Sequence, residues 1–351
     1  MGSSDKKTVA VAISGGLDSG VCAHLLKEQG YNIVGVTGVM HNNESSKAVI
    51  YKAQKTAELL GIEHHVLDLC EQFQKNVVDY FDESYKKALT PNPCIKCNKH
   101  IKWGAIFDWA INERKADFYA TGHYARIKNI GDKFLLYPSA GGLKDQIYYL
   151  FELTQEHLSK TLFPLNDYSK EEIKEIGERL GLISKDTYKE SQDICFIDKN
   201  SSVQKYLCEK YGRFEGDFVD INTGKCLGLH KGHFNYTIGQ RKGIGIAYTE
   251  PLYVVDTDAE KNIVYLGVKN NLFKDELFVP NCVFHDYENQ NEFEAKVKIR
   301  NNMFPQNAKI TKSGEGVLIK FDEPISAITK GQAAVFYDVS DGHLIGGGWI
   351  L

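Results

Sequence analysis

A short apolar run that ends in a glycine-rich turn is the feature that most constrains this fold. KKTVAVAI (6–13) has the composition of a strand, SGGLDSG (14–20) is the turn, and VCAHLLKEQG (21–30) has the pattern of a helix. Further predicted strands alternate with predicted helices: strands at 31–39, 64–69 and 117–123, and helices at 44–60, 71–88 and 100–114. This alternation predicts a parallel sheet covered by helices, with a ligand crevice at the carboxyl ends of its strands.

The turn Ser14–Ser19 has the composition of a phosphate-binding loop. Glycines allow the backbone to approach a phosphate, and free N–H groups at the helix N-terminus bind it. Ser14 and Ser19 can add hydroxyl donors, and Asp18 can bind Mg²⁺ or orient a pyrophosphate. No Gly-Lys-Ser/Thr follows, so this is not the P-loop of kinases. A tight turn with a capped helix is the structural alternative.

The second half of the chain has a different texture. A helix is predicted over 169–183, after which glycines become frequent and segments short. In 293–300 apolar and charged residues alternate, which is typical of a half-buried strand. We therefore predict an α/β domain over 1–204, a β-rich central domain over 205–271 and a C-terminal β-barrel over 272–351.

Charge and hydropathy restrict the environment and the partners. The 351 residues carry a formal net charge of -4 with a pI of about 6.3, so any RNA contact must come from local basic patches. No stretch approaches the roughly 18 apolar residues that cross a bilayer. No signal-peptide pattern precedes the first strand. We expect a cytoplasmic protein without a membrane partner and, despite its 8 cysteines, without structural disulfides.

A close cysteine pair stands in TPNPCIKCNK (90–99). Two prolines predict an exposed, stiff loop that leads Cys97 to the start of a helix. The residues around Cys97 are mostly basic, and positive charge favours the thiolate form of a cysteine. They are Lys96, Lys99, His100 and Lys102. A buried structural pair, a zinc site that includes His100, and catalytic or cluster-binding sulfur chemistry are the three interpretations. Cys195, in ESQDICF (190–196), is by itself more typical of a core residue.

Several segments in order resemble the bacterial and mitochondrial tRNA-specific 2-thiouridylases, the MnmA family. They run along almost the whole chain: SGGLDS, TPNPCIKCNKHIKW, ATGHYARI, GGLKDQIYYLFEL, ESQDICFI, YTIGQRKGIGI and PISAITKGQAAVFYDVSDGHLIGGGWI. The resemblance implies a PP-loop (adenine nucleotide alpha hydrolase-like) domain that binds ATP, and formation of 2-thiouridine at the wobble position of tRNA. It implies glutamate, lysine and glutamine tRNAs as substrates, and a sulfur-donor protein such as a cysteine desulfurase or a sulfur relay protein.

The resemblance also implies roles for individual residues. Cys97 matches the nucleophile and Cys195 the persulfide carrier. The ATP contacts that it implies are Ala12, Ile13, Ser14, Gly15, Gly16, Leu17, Asp18, Ser19, Met40 and Gly122. The tRNA contacts that it implies are Asn92, Pro93, Cys94, His123, Lys144, Asp145, Gln146, Arg300, Asn301 and Gln332. Relatives tend to have an aromatic residue after the arginine, where this chain has Asn301.

The implied reaction begins with a flipped uridine whose C2 oxygen attacks the α-phosphate of ATP, with Mg²⁺ as the cation. Persulfide sulfur from Cys195 then replaces the activated oxygen, and Cys97 releases it. Because Cys94 is a cysteine where some relatives have aspartate, Cys94, Cys97 and Cys195 could instead hold a [4Fe–4S] cluster. Two alternatives remain open at this point: a PP-loop ligase that acts on a small molecule, and a non-catalytic RNA-binding protein.

Overall fold

The computed structural model describes residues 6–140, 145–183, 194–198 and 201–351. The chain forms two compact units. The first contains residues 1–77, 94–192 and 342–344, and the second contains residues 78–93, 193–341 and 345–351.

Eighteen strands lie in the described part of the chain. They are β1 Thr8–Ala12, β2 Asn32–Val39, β3 Glu63–Asp68, β4 Phe118–Ala120, β5 Arg126–Ile130, β6 Lys133–Tyr137, β7 Thr161–Leu162, β8 Gly216–Asp220, β9 Cys226–His230, β10 Tyr253–Asp258, β11 Ile263–Gly267, β12 Phe273–Pro280, β13 Val283–Phe284, β14 Glu292–Lys298, β15 Gln306–Ser313, β16 Gly316–Ser326, β17 Ala333–Tyr337 and β18 Leu344–Trp349.

The helices are concentrated before residue 212. The α-helices are α1 Leu17–Glu28, α2 Glu44–Leu60, α3 Cys70–Phe73, α4 Asp79–Lys86, α5 Pro93–Cys97, α6 Gln155–Ser159, α7 Lys170–Arg179 and α8 Val203–Tyr211. Among the described residues, three segments are π-helical, Gln74–Val78, Asn98–Ile106 and Trp109–Glu113, and three are short 3₁₀ turns, Ile147–Leu150, His233–Asn235 and Lys269–Leu272.

The first unit contains the predicted parallel sheet. Its strand order is β3-β2-β1-β4-β7, and all its strand pairs are parallel. Strand β1 lies in the middle of this sheet, and its residues Val9, Ala10 and Val11 have no solvent-exposed surface. The core continues through α1 and α7, where Val21 and Ile173 are also fully buried. A second, two-stranded antiparallel sheet joins β5 to β6.

Local sequence explains where these helices begin and end. The Asn43 side chain accepts from the Ser46 N–H and starts α2, and Gly61, in the left-handed conformation, ends it. Ser169 and Glu172 form a reciprocal capping box at the start of α7. The predicted boundaries of α2, 44–60, are confirmed, whereas the helix predicted over 169–183 is shorter and ends at Arg179. Val49 of α2 is exposed, although Ala53, Ala57 and Leu60 on the same face of the helix are buried.

The described part of the second unit contains two β-sheets. One is four-stranded, in the order β10-β11-β8-β9, around a core that includes Phe218 and Val254. The other is seven-stranded and antiparallel, in the order β12-β16-β15-β14-β17-β18-β13. The period-2 pattern of β14 is confirmed, because Phe293, Ala295 and Val297 are buried in its core. The C-terminal β-barrel prediction thus corresponds to a curled antiparallel sheet.

Candidate active site

The phosphate loop lies where the sequence predicts it, between β1 and α1. After Ala12, the Ile13 N–H donates to the Val36 carbonyl at 2.8 Å, which keeps the strand end in the sheet. Gly16 precedes α1 in an extended conformation, and within the described chain no side chain caps this helix. The first turn of α1 therefore retains backbone N–H donors suited to an anion.

Two glycines at the loop lie so close to neighbouring atoms that a side chain would not fit there. Gly15 has a φ of +69°, and a Cβ there would lie 2.8 Å from the Lys52 Cβ and 3.0 Å from the Val49 carbonyl oxygen. A Cβ on Gly122, after β4, would lie 2.9 Å from the Asp18 carbonyl carbon. Only glycine fits both positions without displacing the loop.

Hydrogen bonds of the Ser19 hydroxyl inside the loop and of the Thr37 hydroxyl on the neighbouring strand stabilise the loop conformation. The Ser19 Oγ accepts from the Ser14 N–H at 3.1 Å and donates to the Gly16 carbonyl at 3.0 Å. Behind the loop, the Thr37 Oγ1 donates to the Ile13 carbonyl at 2.6 Å and accepts from the His64 Nε2 at 2.8 Å. The predicted serine donors thus make hydrogen bonds inside the loop in this structure.

Lys170 is a site residue that the sequence interpretation missed. Its Nζ lies 2.6 Å and 2.8 Å from the two Asp18 carboxylate oxygens, and the Tyr124 hydroxyl donates to Asp18 Oδ1 at 3.0 Å. The Lys170 side chain is only 14% exposed. Lys170 opens α7, where the helix dipole disfavours a cation. That unfavourable position is the sequence signal that could have identified it.

The network around Asp18 extends to Gln146. The Gln146 Oε1 accepts from the Tyr124 N–H at 2.8 Å, so this predicted tRNA contact also orients the residue that holds Asp18. Asp145 accepts from the Ile147 N–H at 3.0 Å. The third predicted residue of this group, Lys144, lies outside the described residues, as do Glu190 to Asp193.

The cysteine pair lies in a helix and not in the predicted exposed loop. Pro93 is the first residue of α5, so Cys94 is in the first turn and Cys97 follows one turn later on the same side. Cys94 is exposed and Cys97 is buried. Although Cys94 is exposed as a residue, protein atoms packed around its thiol desolvate it and raise its pKa, and the charge of Lys102 opposes this shift.

The basic neighbourhood of Cys97 is weaker than the sequence predicts. Glu152, whose side chain is nearly buried, accepts from Lys99 at 3.1 Å and forms an ion pair with Lys96 at 3.5 Å. Burial, and then the charges of Lys99 and Lys96, lower the pKa of His100. Sequence spacing could not reveal Glu152, because it is more than fifty positions away.

The fourth cation of this group, Lys102, contacts His123. Its Nζ donates to the His123 Nε2 at 3.3 Å, so this nitrogen must accept and the Nδ1–H donates to the Thr121 Oγ1 at 2.8 Å. Burial, with Lys102 beside it, holds the pKa of His123 well below its usual range. His123, predicted to face tRNA, is therefore a neutral imidazole of defined tautomer.

Cys195 belongs to the second unit, whereas Cys94 and Cys97 belong to the first. It lies in a turn closed by the Ile197 N–H and the Ile194 carbonyl at 3.1 Å, and its side chain is exposed. The neighbouring Phe196 packs edge-on against Phe81 in an aromatic cluster of the second unit. The turn therefore keeps Cys195 at the surface while its neighbours are anchored, which corrects the core interpretation based on the segment alone.

The remaining predicted tRNA contacts have mixed environments. Gln332 donates to the Thr90 carbonyl at 2.9 Å, and Arg300 donates to the carbonyls of Ile238 and Ala327 at 2.8 and 3.0 Å. Asn301 donates to the Asn302 Oδ1 at 3.0 Å. Asn92 is half-buried and Pro93 is buried. Met40, which was predicted to contact ATP, is half-buried. Gln332 and Arg300 thus have protein partners.

The parallel sheet with a glycine phosphate loop at its carboxyl edge defines a PP-loop nucleotide-binding protein. The chain is 42% identical to the tRNA-specific 2-thiouridylase MnmA of Carboxydothermus hydrogenoformans over 98% of each chain. It is 41% identical to the Clostridium kluyveri protein of the same name, over 98% of this chain and 99% of the relative. The chain belongs to the tRNA-specific 2-thiouridylase family.

Family models match three consecutive parts of the chain. They are described as a tRNA methyl transferase HUP domain (7–199), a tRNA methyl transferase PRC-barrel domain (204–268) and an aminomethyltransferase beta-barrel domain (274–350). These descriptions name methyl transfer, whereas the full-length relatives are named thiouridylases. The three matched domains occur in the same order along the chain that the full-length thiouridylase relatives match as a whole.

The chain is also similar to a solved structure, the U34-tRNA thiolase NcsA from Methanococcus maripaludis with its [4Fe–4S] cluster. The identity is 24%, the match covers 58% of this chain and 62% of that one, and the TM-score is 0.36. Across the described ranges, no helix is both long and apolar enough to span a membrane.

Proposed function

We propose that this protein catalyses the ATP-dependent 2-thiolation of the wobble uridine of tRNA. The observation that carries the proposal is a glycine phosphate loop in the same unit as a helical cysteine pair, in a chain of the 2-thiouridylase family. A small-molecule ligase needs the loop but not the cysteines. A non-catalytic RNA-binding protein needs neither.

The first step activates the base. The uridine is flipped out of its stack, because its C2 oxygen is otherwise inaccessible. That oxygen attacks the α-phosphorus of ATP, forms a P–O bond and expels pyrophosphate. The loop from Ala12 to Ser19, with Met40 and Gly122, contacts ATP, and its N–H groups stabilise the charge that develops on the phosphates.

Lys170 can contribute to the same step. In this structure Asp18 neutralises its ammonium group beside the loop. Pyrophosphate, a more highly charged anion than one carboxylate, can compete with Asp18 for this cation. We therefore propose that Lys170 binds the phosphates that leave as pyrophosphate, and that Asp18 and Tyr124 hold it ready for them.

Mg²⁺ would supply charge neutralisation on the phosphates when it is bound. Asp18 is the carboxylate that could hold it, because carboxylate oxygens are suitable ligands. Both Asp18 oxygens are hydrogen-bonded to Lys170 here, so Asp18 binds the metal only if Lys170 transfers to the phosphates.

The second step exchanges oxygen for sulfur. The terminal sulfur of a Cys195 persulfide attacks C2 and expels AMP. The Cys97 thiolate then attacks the Cys195 sulfur, breaks the S–S bond to the transferred sulfur and leaves the electron pair on it as 2-thiouridine. The products are AMP, pyrophosphate, thiolated tRNA and a Cys97–Cys195 disulfide, which a thiol reductant must reduce before the next cycle.

A cluster route uses the same thiols. Cys94, Cys97 and Cys195 would hold a [4Fe–4S] cluster, which when bound would supply an iron site for sulfur. Thiolate is the right donor type, and the Cys94–Cys97 spacing puts two donors on one side of α5. Iron and sulfide assays after anaerobic purification and reconstitution test this route. A protein that never retains iron excludes it.

The proposed partners follow from the reaction. The substrates are glutamate, lysine and glutamine tRNAs, contacted by residues 92–94, 144–146, His123, Arg300, Asn301 and Gln332. The sulfur comes from a cysteine desulfurase or a sulfur relay protein. We propose a cytoplasmic location and the three-domain division at 204/205 and 271/272.

The decisive experiment incubates the protein with unmodified tRNA, ATP, Mg²⁺ and a persulfide donor, and then seeks 2-thiouridine by mass spectrometry of digested RNA. ATP-dependent product is the expected result. The same assay is run after cluster reconstitution. If protein that binds ATP makes no product in either form from any of the three tRNAs, the proposal is wrong and the small-molecule ligase is favoured.

A further inference from the structure

The lysines near the cysteine pair differ in their partners. Lys96 and Lys99 share the Glu152 carboxylate, at 3.5 and 3.1 Å, so their charges are largely compensated. Lys102 lies in the helical segment Asn98–Ile106 and makes no ion pair with any carboxylate among the described residues. It is half-buried, and a charge in such a position is unfavourable unless it is compensated. An anionic ligand beside Lys102 would compensate this charge.

The Lys102 ammonium has a neutral partner that orients it without cancelling its charge. The Lys102 Nζ donates to the His123 Nε2 at 3.3 Å, and the His123 Nδ1–H donates to the Thr121 Oγ1 at 2.8 Å. Thr121 is buried directly after β4, and the His123 ring packs against the buried Trp103 with 5.3 Å between the ring centroids. These contacts fix the position of the ammonium group, and its charge stays available to a ligand.

Two observations place Lys102 between the phosphate loop and the cysteine pair. Gly122, next to the Lys102 partner His123, lies so close to the loop that a Cβ on it would be 2.9 Å from the Asp18 carbonyl carbon. Lys102 also lies near Cys94, because its charge opposes the rise in the pKa of that thiol. In the proposed reaction the loop binds the phosphates of ATP and the base lies against the cysteine pair. The bond between the uridine oxygen and the α-phosphorus therefore forms between these two parts, where Lys102 lies.

We propose that Lys102 is a further catalytic residue, which binds a non-bridging oxygen of the α-phosphate while the uridine is adenylated and while AMP leaves. This inference rests on the proposed function, because it takes adenylation of a tRNA base as the reaction. It assigns the α-phosphate to Lys102, whereas Lys170 binds the phosphates that leave as pyrophosphate. His123 is the positioning residue of Lys102.

The Lys102 ammonium stabilises charge in both steps and transfers no proton. In the first step the bond between the uridine O2 and the α-phosphorus forms, pyrophosphate leaves with the electron pair of its P–O bond, and the base releases its N3 proton to solvent. In the second step sulfur bonds to C2, AMP leaves with the electron pair of the C2–O bond, and N3 regains a proton. A cation fixed beside the α-phosphate is favourable in both transition states, because negative charge develops on the groups attached to phosphorus.

The test measures pyrophosphate release in a single turnover of the full-length protein with ATP, Mg²⁺ and saturating unmodified tRNA. No sulfur donor is added, so that only the first step is followed. Lys102→Gln should release pyrophosphate roughly 10²- to 10³-fold more slowly than wild type and bind ATP with similar affinity. Lys102→Arg keeps the charge and should be faster than Lys102→Gln. Lys128→Gln removes an exposed lysine of the same unit, on β5, and should react like wild type.

A Lys102→Gln variant as fast as wild type, or an equal loss in Lys128→Gln, overturns the proposal. A loss of ATP affinity as large as the loss of rate also overturns it, because Lys102 would then bind ATP before the reaction and not its transition state. Circular dichroism checks folding, and Lys102→Met, with an apolar chain of similar length, replaces Lys102→Gln if that variant does not fold. Wild-type protein that forms 2-thiouridine beside an equally fast Lys102→Gln refutes this inference alone. Wild-type protein that forms no 2-thiouridine, with a persulfide donor or after cluster reconstitution, refutes the proposed function as well.

Discussion

The Lys170 ammonium lies 2.6 Å from Asp18 Oδ1 and 2.8 Å from Oδ2, although the two residues are 152 positions apart. The pair joins the start of α7 to Asp18, which lies in the phosphate loop and in the first turn of α1. Tyr124 donates to the same carboxylate from the segment after β4. The Asp18 carboxylate therefore binds the Lys170 ammonium and the Tyr124 hydroxyl, which come from two separate segments, at the phosphate loop.

Lys170→Ala is expected to reduce ATP-dependent thiolation by roughly 10²- to 10³-fold, the usual effect of removing one group that stabilises transition-state charge. The measurement is single-turnover thiolation at saturating tRNA, together with ATP–pyrophosphate exchange. Lys174→Ala, one turn further along α7, is the matched control and should retain activity. Equal rates for the two variants would show that Lys170 has only a structural role.

The phosphate loop provides a second prediction, because Gly15→Ala combines two effects. Its φ of +69° strains alanine, and the new Cβ would also contact Lys52 and the Val49 carbonyl. Gly131 has a φ of +66° with open space around it, so Gly131→Ala has the strain without the clash. Strain alone should cost about 1–2 kcal/mol of unfolding free energy.

Chemical denaturation and ATP titration of both glycine variants separate these effects. Gly131→Ala should lose stability but bind ATP like wild type. Gly15→Ala should lose more stability and at least about tenfold in ATP affinity, because the loop backbone must shift. Similar ATP affinities for the two variants would contradict the proposed cradle.

The period-2 and period-3.6 patterns predicted most of the fold. The parallel sheet, α2, α7 and β14 follow from local spacing, and the phosphate loop follows from glycine composition. The start of α5 was missed, because two prolines suggested a loop although proline fits the first turn of a helix. Lys170 and Glu152 were missed for another reason, since each meets its partner only after the sheet brings distant segments together.

The cysteines provide a third prediction. Cys97→Ala and Cys195→Ala should each lower thiolation by roughly 10³-fold or more, because each removes a reacting sulfur. Both variants should still bind ATP, since the phosphate loop contains neither residue. Cys226→Ala removes an exposed cysteine at the start of β9 and serves as the control. The assay is 2-thiouridine formation by mass spectrometry, and an active Cys97→Ala would exclude it as the nucleophile.

His123 predicts a pH dependence of stability. Burial and Lys102 lower its pKa in the folded protein, so the folded state resists protonation that the unfolded state accepts below about pH 6.5. The unfolded state then binds more protons, and stability falls as the pH decreases from about 6.5 toward the folded pKa. Above pH 7 both states are neutral at His123 and the effect disappears. Trp103 and Phe163 also face the ring but carry no charge.

Urea unfolding of wild type and His123→Asn between pH 7.5 and 5 measures this contribution. The stability advantage of wild type over the variant should decrease by up to about 1.4 kcal/mol per pH unit below about pH 6.5, the limit for one proton. The difference between the two proteins removes the contributions of the other histidines and of the carboxylates. If the stability difference between wild type and His123→Asn does not change with pH, His123 has the same pKa in the folded and unfolded states. Its hydrogen bond with Lys102 would then not keep it neutral in the folded protein.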